Sequence, residues 1–340
     1  MSFRDAPQPG QQSPGLGTNY TAPDDDFTVQ QGFGGVTHRP VPVTVLVASV
    51  ALFLSSIGNM VELVARMLEF NVMLRTALIA DLWLVFRLGL LAVATAAAAA
   101  VILFGREWGR VFALAISGIV IFSSTDVLLF YPMSVIPMPL PLLLIFHIVL
   151  SIVTVVILTR RKISIWHYEK RRDRSRSPFT PPDPDTQAKP AAFHFAAGLL
   201  LAIGLFLLGY SAIQLLFARF SFERWPHLSG VEFVLGASAI ALGVLTFRAN
   251  GIARLLAFAV AGATAWTGFD LMATNVMYTA EWGIYDGLYD VRYWVAMVLL
   301  LLSAIASVVL LMVLSSHKCA DWVHERHAIK AKQRHCHDPL

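Results

Sequence analysis

The chain has 340 residues, of which 56% are hydrophobic and only 14% are charged, and its mean hydropathy is +0.64. Soluble domains carry about 25% charged residues, so this composition excludes an ordinary soluble globular protein. The formal net charge is only +4. We therefore expect the lipid bilayer to solvate much of the chain, and we expect no nucleic-acid partner.

Residues 1–40 are polar and rich in Pro, Gly, Gln and Asp. They contain no basic segment followed by an apolar stretch and a small-residue cleavage site, so we expect no removable signal peptide. Because the segment also lacks apolar periodicity, it is predicted to be a disordered cytoplasmic arm. The first apolar helix must then act as its own insertion signal.

Eight apolar stretches follow, each bounded by polar, charged or Pro-containing residues. A hydrocarbon core of about 30 Å takes about 20 residues of helix, and lipid leaves every backbone polar group to be paired within its own segment. The predicted spans are 42–62, 82–104, 110–130, 139–159, 193–217, 230–248, 253–274 and 292–315.

Basic residues are distributed unequally between the loops, and short cytoplasmic loops retain Lys and Arg. With the N-terminus inside, the strongly basic segments at 160–176 and 318–334 are cytoplasmic, and few basic residues lie outside. This pattern predicts a cell-membrane protein with both termini in the cytoplasm. Cys319 and Cys336 would then lie in a reducing compartment, so we expect no disulfide. The outer basic residues are Arg66, Arg75, Arg87, Arg219, Arg224 and Arg292.

The third and seventh predicted spans are similar in sequence. Their arginine, glycine and aspartate recur at one offset of 144 (254 − 110): Arg110, Gly118 and Asp126 match Arg254, Gly262 and Asp270. An internal repeat with an even number of spans predicts two parallel halves related by an axis along the membrane normal.

The predicted fold is therefore an all-α integral membrane protein, built as a tandem repeat of two four-helix bundles at 41–160 and 192–316. A basic and Pro-rich linker, 161–191, joins the halves, and a basic cytoplasmic tail, 317–340, follows.

Each half has a short basic loop before its third helix, Arg106-Glu107-Trp108-Gly109-Arg110 in the first half and the segment from Arg248 to Arg254 in the second. In this respect each half resembles small four-helix bacterial membrane proteins of unknown function, whose second and third helices are joined in this way before an Ala-rich helix. The resemblance implies the four-helix unit and no activity.

Small residues recur on the third and seventh spans and indicate close helix packing, since lipid gives apolar helices no hydrophobic reason to associate. A homo-oligomer interface is the alternative use of the same surface. The candidate packing residues are Gly118, Ala257, Ala261, Gly262 and Ala265.

Several ionisable residues lie inside the predicted spans, where charge is costly and often functional. Asp126 and Asp270 each follow the repeat's arginine by 16 residues (126 − 110 and 270 − 254), about 24 Å along the helix. Arg87 lies at a similar depth, so we predict an Arg87–Asp126 ion pair. Glu232 and Asp270 could form a carboxylate pair that holds a proton or cation. Alternatively, both are hydrated at the outer interface or paired with arginines there.

His147 in the fourth span has two readings. Such a residue most often makes a hydrogen-bonded contact between helices. If it faced Asp126, it would instead suggest a proton relay.

The basic linker can bind anionic lipid headgroups or can simply fix the topology. Its candidate residues are Arg160, Arg161, Lys162, Arg171 and Arg172. The tail contains His324, His327 and Cys336, but their spacing matches no structural zinc motif, so we expect no metal.

Nucleotide-binding, hydrolase and metalloprotease motifs are missing from the sequence, and we expect no cofactor. Three functions remain open: a membrane scaffold or regulatory partner whose cytoplasmic arms bind proteins, a transporter using the outer carboxylates, and a lipid- or envelope-modifying enzyme. The enzyme would need a pocket joining Asp126 and Asp270 to Glu62 or Asp290. The transporter would need a wet cavity between the halves and broken helices, yet no span has paired Gly and Pro at its centre. The scaffold requires the fewest assumptions.

Overall fold

The structure is a computed structural model and describes residues 40–72, 79–130, 140–175, 190–218, 229–248, 250–282, 291–316 and 318–323. The first 39 residues, the Pro-rich part of the linker and the tail after 323 lie outside this range. The helices are α1 (Val43–Val72), α2 (Ile79–Leu103), α3 (Glu107–Phe130), α4 (Leu140–Thr159), α5 (Arg161–Ser175), α6 (Ala191–Ala218), α7 (Ser229–Phe247), α8 (Gly251–Trp282) and α9 (Val291–Ser315). Residues 318–323 are also helical.

Within the described residues, seven helices are long and apolar enough to cross a membrane: α1 to α4, α6, α8 and α9. The fold is that of a multi-pass helical membrane protein. Seven of the eight predicted spans coincide with these helices. The remaining one, 230–248, coincides with α7, whose apolar part Glu232–Phe247 is shorter. Sixteen residues of helix extend about 24 Å, against a hydrocarbon core of about 30 Å.

The helices α1 to α4 and α6 to α9 form two groups of four. Within the first group, α1 contacts α2 and α4, and α3 contacts α2 and α4. In the second group, α6 and α8 each contact α7 and α9. The extensive contact between α3 and α8 joins the groups, so these two helices lie at the centre of the molecule.

Pairs of antiparallel helices inside each group approach closely. Ser49 and Ser56 of α1 donate hydrogen bonds to the carbonyl oxygens of Ala99 and Ala92 of α2, at 2.7 and 2.8 Å. Between α6 and α7, a methyl group at Gly204 would lie 2.7 Å from the Gly236 carbonyl oxygen, and one at Gly236 would lie 2.9 Å from that of Gly204. The absence of side chains at these positions lets the backbones touch.

The seam between α3 and α8 depends on two further glycines. A methyl group at Gly118 would collide with the carbonyl of Ala259, and one at Gly262 would lie 2.5 Å from the carbonyl oxygen of Ala115. The offset of 144 relates the two contacts, since Gly118 corresponds to Gly262 and Ala115 corresponds to Ala259. The two helices therefore touch through equivalent surfaces.

We predict that Gly118→Ala destabilises the protein. Its methyl group must displace α8, and overpacking of this kind costs about 1–3 kcal/mol. Gly209→Ala is the matched control, because no atom lies within 4 Å of the added methyl group and alanine is the better helix former. Thermal unfolding in detergent, followed by circular dichroism, compares the two. Equal effects of the two substitutions would contradict the direct contact of the helices.

Candidate functional site at the two ends of the central helix pair

Charged side chains meet beyond Gly118 and Gly262, near the ends of the apolar spans of α3 and α8 at Leu128 and Ala273. Arg87 of α2 forms an ion pair with Asp270 of α8, with 2.6 Å between Nη1 and Oδ2. The indole nitrogen of Trp83 donates a hydrogen bond of 3.0 Å to the other carboxylate oxygen of Asp270. Trp83 also packs against Phe86 and Phe269. Asp270 thus links α8 to α2, a helix of the other group.

Our expectation that Arg87 pairs with Asp126 needs correction, since the hydrogen-bonded carboxylate is that of Asp270. Asp126 remains within electrostatic range of both Arg87 and Asp270. Sequence reasoning sought a partner within the same half. Because α3 and α8 pack side by side, the corresponding carboxylate of the other half reaches Arg87 instead.

Glu232 near the start of α7 is the fourth ionisable member of this group. Its side chain is only 2% exposed, and its Oε2 atom has no hydrogen-bond partner among the described residues. The carboxylate within its electrostatic range is that of Asp126. We call Trp83, Arg87, Asp126, Glu232 and Asp270 the Asp270 cluster. It draws on four helices and contains three carboxyl groups and one guanidinium.

A double-mutant cycle with Arg87→Gln and Asp270→Asn should give a coupling energy of about 1 kcal/mol, since both side chains are largely buried. The matched cycle with Asp126→Asn should give a smaller coupling, because the hydrogen bond of Arg87 goes to Asp270 and Asp126 acts on Arg87 through space. Chemical unfolding in detergent provides the free energies. A larger coupling for Asp126 would restore the pair expected from the sequence.

At the other end of the seam, two buried arginines hold the ends of neighbouring helices. Arg110 donates from Nε to the Leu158 carbonyl oxygen of α4 at 2.8 Å, and also from Nη2. Arg254 donates from Nε to the Leu314 carbonyl oxygen of α9 at 2.9 Å. Carbonyl groups in the last turn of a helix lack helical partners. Each arginine therefore satisfies one such carbonyl within its own half.

Glu107 balances part of this buried charge. Its Oε1 atom lies 3.6 Å from Nη2 of Arg254, and its carboxylate interacts electrostatically with Arg110. We call Glu107, Arg110 and Arg254 the Arg110 cluster. The sequence placed these residues in the short basic loops and did not predict their burial, although the recurrence of the arginine at an offset of 144 was a signal that each has a fixed role.

The basic linker begins with a structured helix, α5, which packs beneath the Arg110 cluster. Its buried face includes Trp166 and His167, and Lys170 lies over the Trp166 ring at 4.7 Å. Gly105, in the turn before α3, has a φ of +62° and leaves space for Trp166 and Lys170. Burial, and to a smaller extent the positive charge of Arg110, lower the pKa of His167 from 6.5 to about 4.

Stability should therefore fall as the pH falls from about 6.5 to about 4. In this window the unfolded chain takes up a proton at His167 that the folded protein does not bind, and the full difference is about 3 kcal/mol. We predict that His167→Gln flattens the dependence of the melting temperature on pH. The same substitution at exposed His194 serves as the control, and parallel curves for wild type and His167→Gln would contradict the prediction.

The remaining predicted residues are distributed between core and surface. Ala257 and Ala261 are buried and Ala265 is half-buried, whereas Arg160, Arg161 and Lys162 are exposed at the start of α5. His147 is buried against Gly58 of α1. The side chains of Arg171 and Arg172 and the histidines of the tail lie outside the described residues, and so does Asp290. Among the side chains that are described, no group of three or more His, Cys, Asp and Glu could hold a metal ion.

Comparison with known proteins adds no relative. No family model matches the chain, and no curated protein or solved structure is significantly similar to it.

Proposed function

We propose that the chain is a tandem repeat of two parallel four-helix bundles that crosses a cell membrane eight times, with α7 as the short sixth span. The reciprocal contacts of Gly118 and Gly262 support this, as do the equivalent hydrogen bonds made by Arg110 and Arg254. Placing α7 across the membrane is supported by its close antiparallel packing on α6. Both termini then lie in the cytoplasm, and the Arg110 cluster lies at the inner ends of the spans.

Cysteine labelling tests this topology. Cys336 reports on the tail of the wild-type protein, since Cys319 is buried, and Ser13→Cys in a Cys336→Ser background reports on the N-terminal arm. With eight spans, a membrane-impermeant maleimide should leave both reporters unlabelled in intact cells and label both after lysis. Labelling of only one reporter in intact cells would show an odd number of crossings.

Within this membrane, the protein acts in our proposal as a scaffold or regulatory partner of other proteins. The observation that carries the proposal is the seam in which the backbones of α3 and α8 touch. A transporter that moves its two halves relative to each other would have to break these contacts and the ion pair between Arg87 and Asp270 that also joins them. A rigid body with polar cytoplasmic arms suits recruitment instead.

The cytoplasmic surface offers a second means of attachment. Arg160, Arg161 and Lys162 are exposed beside the buried face of α5, formed by Ile163 and Trp166. Basic residues next to a membrane surface attract anionic lipid headgroups by about 1 kcal/mol each. In our proposal these residues, together with Arg171 and Arg172, hold the inner side of the scaffold against anionic lipid.

The scaffold proposal predicts a protein partner bound in stoichiometric amount through the cytoplasmic arms. Full-length protein, purified by affinity in mild detergent, is compared with a version that lacks residues 1–39 and 324–340. The second cut follows residue 323 because Cys319, Trp322 and Val323 pack with Phe193 and belong to the folded body. Mass spectrometry should identify a partner of the full-length protein that is lost on trimming.

Asp270→Asn in the full-length chain is the matched control, since it alters the membrane region and leaves the arms intact. It should retain the partner. If no partner co-purifies, or if the trimmed protein supports the cellular role as well as the full chain, the scaffold proposal fails.

In that case the Asp270 cluster would favour ion or small-molecule transport. Its carboxyl groups come from α3 in the first half of the chain and from α7 and α8 in the second half. This assembly supports a second function, because ionisable side chains inside a membrane often mark the path of a proton, ion or substrate.

A further inference from the structure

The turn between α2 and α3 carries one basic and two aromatic side chains that face outward. Arg106 is exposed, and it lies between Phe104 and Trp108, whose side chains are 62% and 51% exposed. The apolar span of α2 ends at Leu103 and that of α3 begins at Glu107. The turn therefore lies where hydrocarbon gives way to lipid headgroups, the level at which aromatic and basic side chains favour contact with lipid.

Helix α5 brings a second cation to the same turn. A methyl group at Gly105 would lie 2.6 Å from Cδ and 2.9 Å from Nζ of Lys170, so the lysine side chain lies directly against this glycine. The ring of Trp166 holds the ammonium group at 4.7 Å. Because Gly105 immediately precedes Arg106, the turn and α5 bring two positive charges together, and packing fixes the position of one of them.

The corresponding turn of the second half has a different residue at the position of Arg106. At the offset of 144 this residue is Asn250, which caps α8 by accepting from the N–H groups of Ile252 and Ala253 at 2.9 and 3.4 Å. The side chain of Arg106 has no acceptor, and its positive charge adjoins the positive end of the α3 dipole. Arginine at this position is therefore unfavourable for the helix itself, and a bound anion would offset its charge.

A phosphate group suits this pair of cations, since arginine binds phosphate through two N–H donors and lysine binds it as a point charge. The exposed rings of Phe104 and Trp108 suit acyl chains, a contact that a free phosphate ion does not make. We propose that Arg106 and Lys170 bind the phosphate of one anionic phospholipid, whose acyl chains pack on Phe104 and Trp108.

This single site deepens the lipid attachment of our proposed function, on which it rests for a supply of anionic lipid at this side of the membrane. It differs from the general attraction exerted by Arg160, Arg161 and Lys162, because it binds one lipid at a fixed place. It does not depend on the scaffold role.

Native mass spectrometry tests the site, since it counts the lipids that remain on the purified full-length protein and gives their affinities. Phosphatidylglycerol is compared with phosphatidylcholine, whose headgroup carries no net charge. One phosphatidylglycerol should bind about 20-fold more tightly, as expected for two cations at a membrane surface. Equal affinities for the two lipids would overturn the proposal.

The double variant Arg106→Asn with Lys170→Gln should reduce the affinity for phosphatidylglycerol to that for phosphatidylcholine. The matched control is Arg248→Gln with Lys318→Gln, which removes two exposed positive charges from the second half and should leave the tight site intact. Equal losses in the two double variants would show general charge attraction and would also overturn the site. Neither result affects the co-purification test of the scaffold.

Arg106→Asn alone keeps the test decisive if the double variant does not fold. It places the capping residue of α8 at the start of α3, so the lipid-free protein should melt at the same or a higher temperature. Its affinity for phosphatidylglycerol should fall about fivefold, and an unchanged affinity would contradict the role of Arg106.

Excess inorganic phosphate distinguishes a lipid from a soluble anion. It should leave phosphatidylglycerol bound to the wild-type protein, because the acyl chains contribute to binding. Displacement of the lipid by phosphate would assign the site to a soluble anion and would overturn the lipid proposal.

Discussion

Direct backbone contact between α3 and α8 is the constraint on which the rest of the structure depends. Apolar helices gain nothing by leaving lipid for one another, so their association requires surfaces that approach very closely. Gly118 and Gly262 provide such surfaces by placing each helix against a carbonyl group of the other. Once α3 and α8 are in contact, three further helices complete a group of four around each of them.

The polar residues of the spans are arranged around this pair because of the same contact. Charge in hydrocarbon is costly unless it is paired or reaches the interface, and both clusters lie near the ends of the apolar spans of α3 and α8. At one end Arg110 and Arg254 hold the last turns of α4 and α9, and at the other Asp270 accepts from Arg87. Because Asp270 and Arg87 belong to different groups of helices, the seam is supported by an ion pair as well as by packing.

The sequence predicted the apolar helices well because length and hydropathy determine which segments can cross a bilayer. It also pointed to Gly118 and Gly262, since their recurrence at one offset marks equivalent positions. It could not give the partner of Arg87, because that depends on which helices of the two groups become neighbours. The burial of Arg110 and the folding of α5 were not predicted for a related reason. A basic segment of the sequence does not show whether other parts of the chain, here Leu158 and Trp166, will cover it.

The most direct test of the central role of this seam is to cut the chain between its halves after it has folded. A protease site inserted at 176–189 allows the purified protein to be cleaved in detergent, and size-exclusion chromatography then shows whether the two pieces remain together. They should remain together in the wild type and with Gly209→Leu, and separate with Gly118→Leu. Separation of the wild-type pieces, or continued association with Gly118→Leu, would show that contact between α3 and α8 does not hold the protein together.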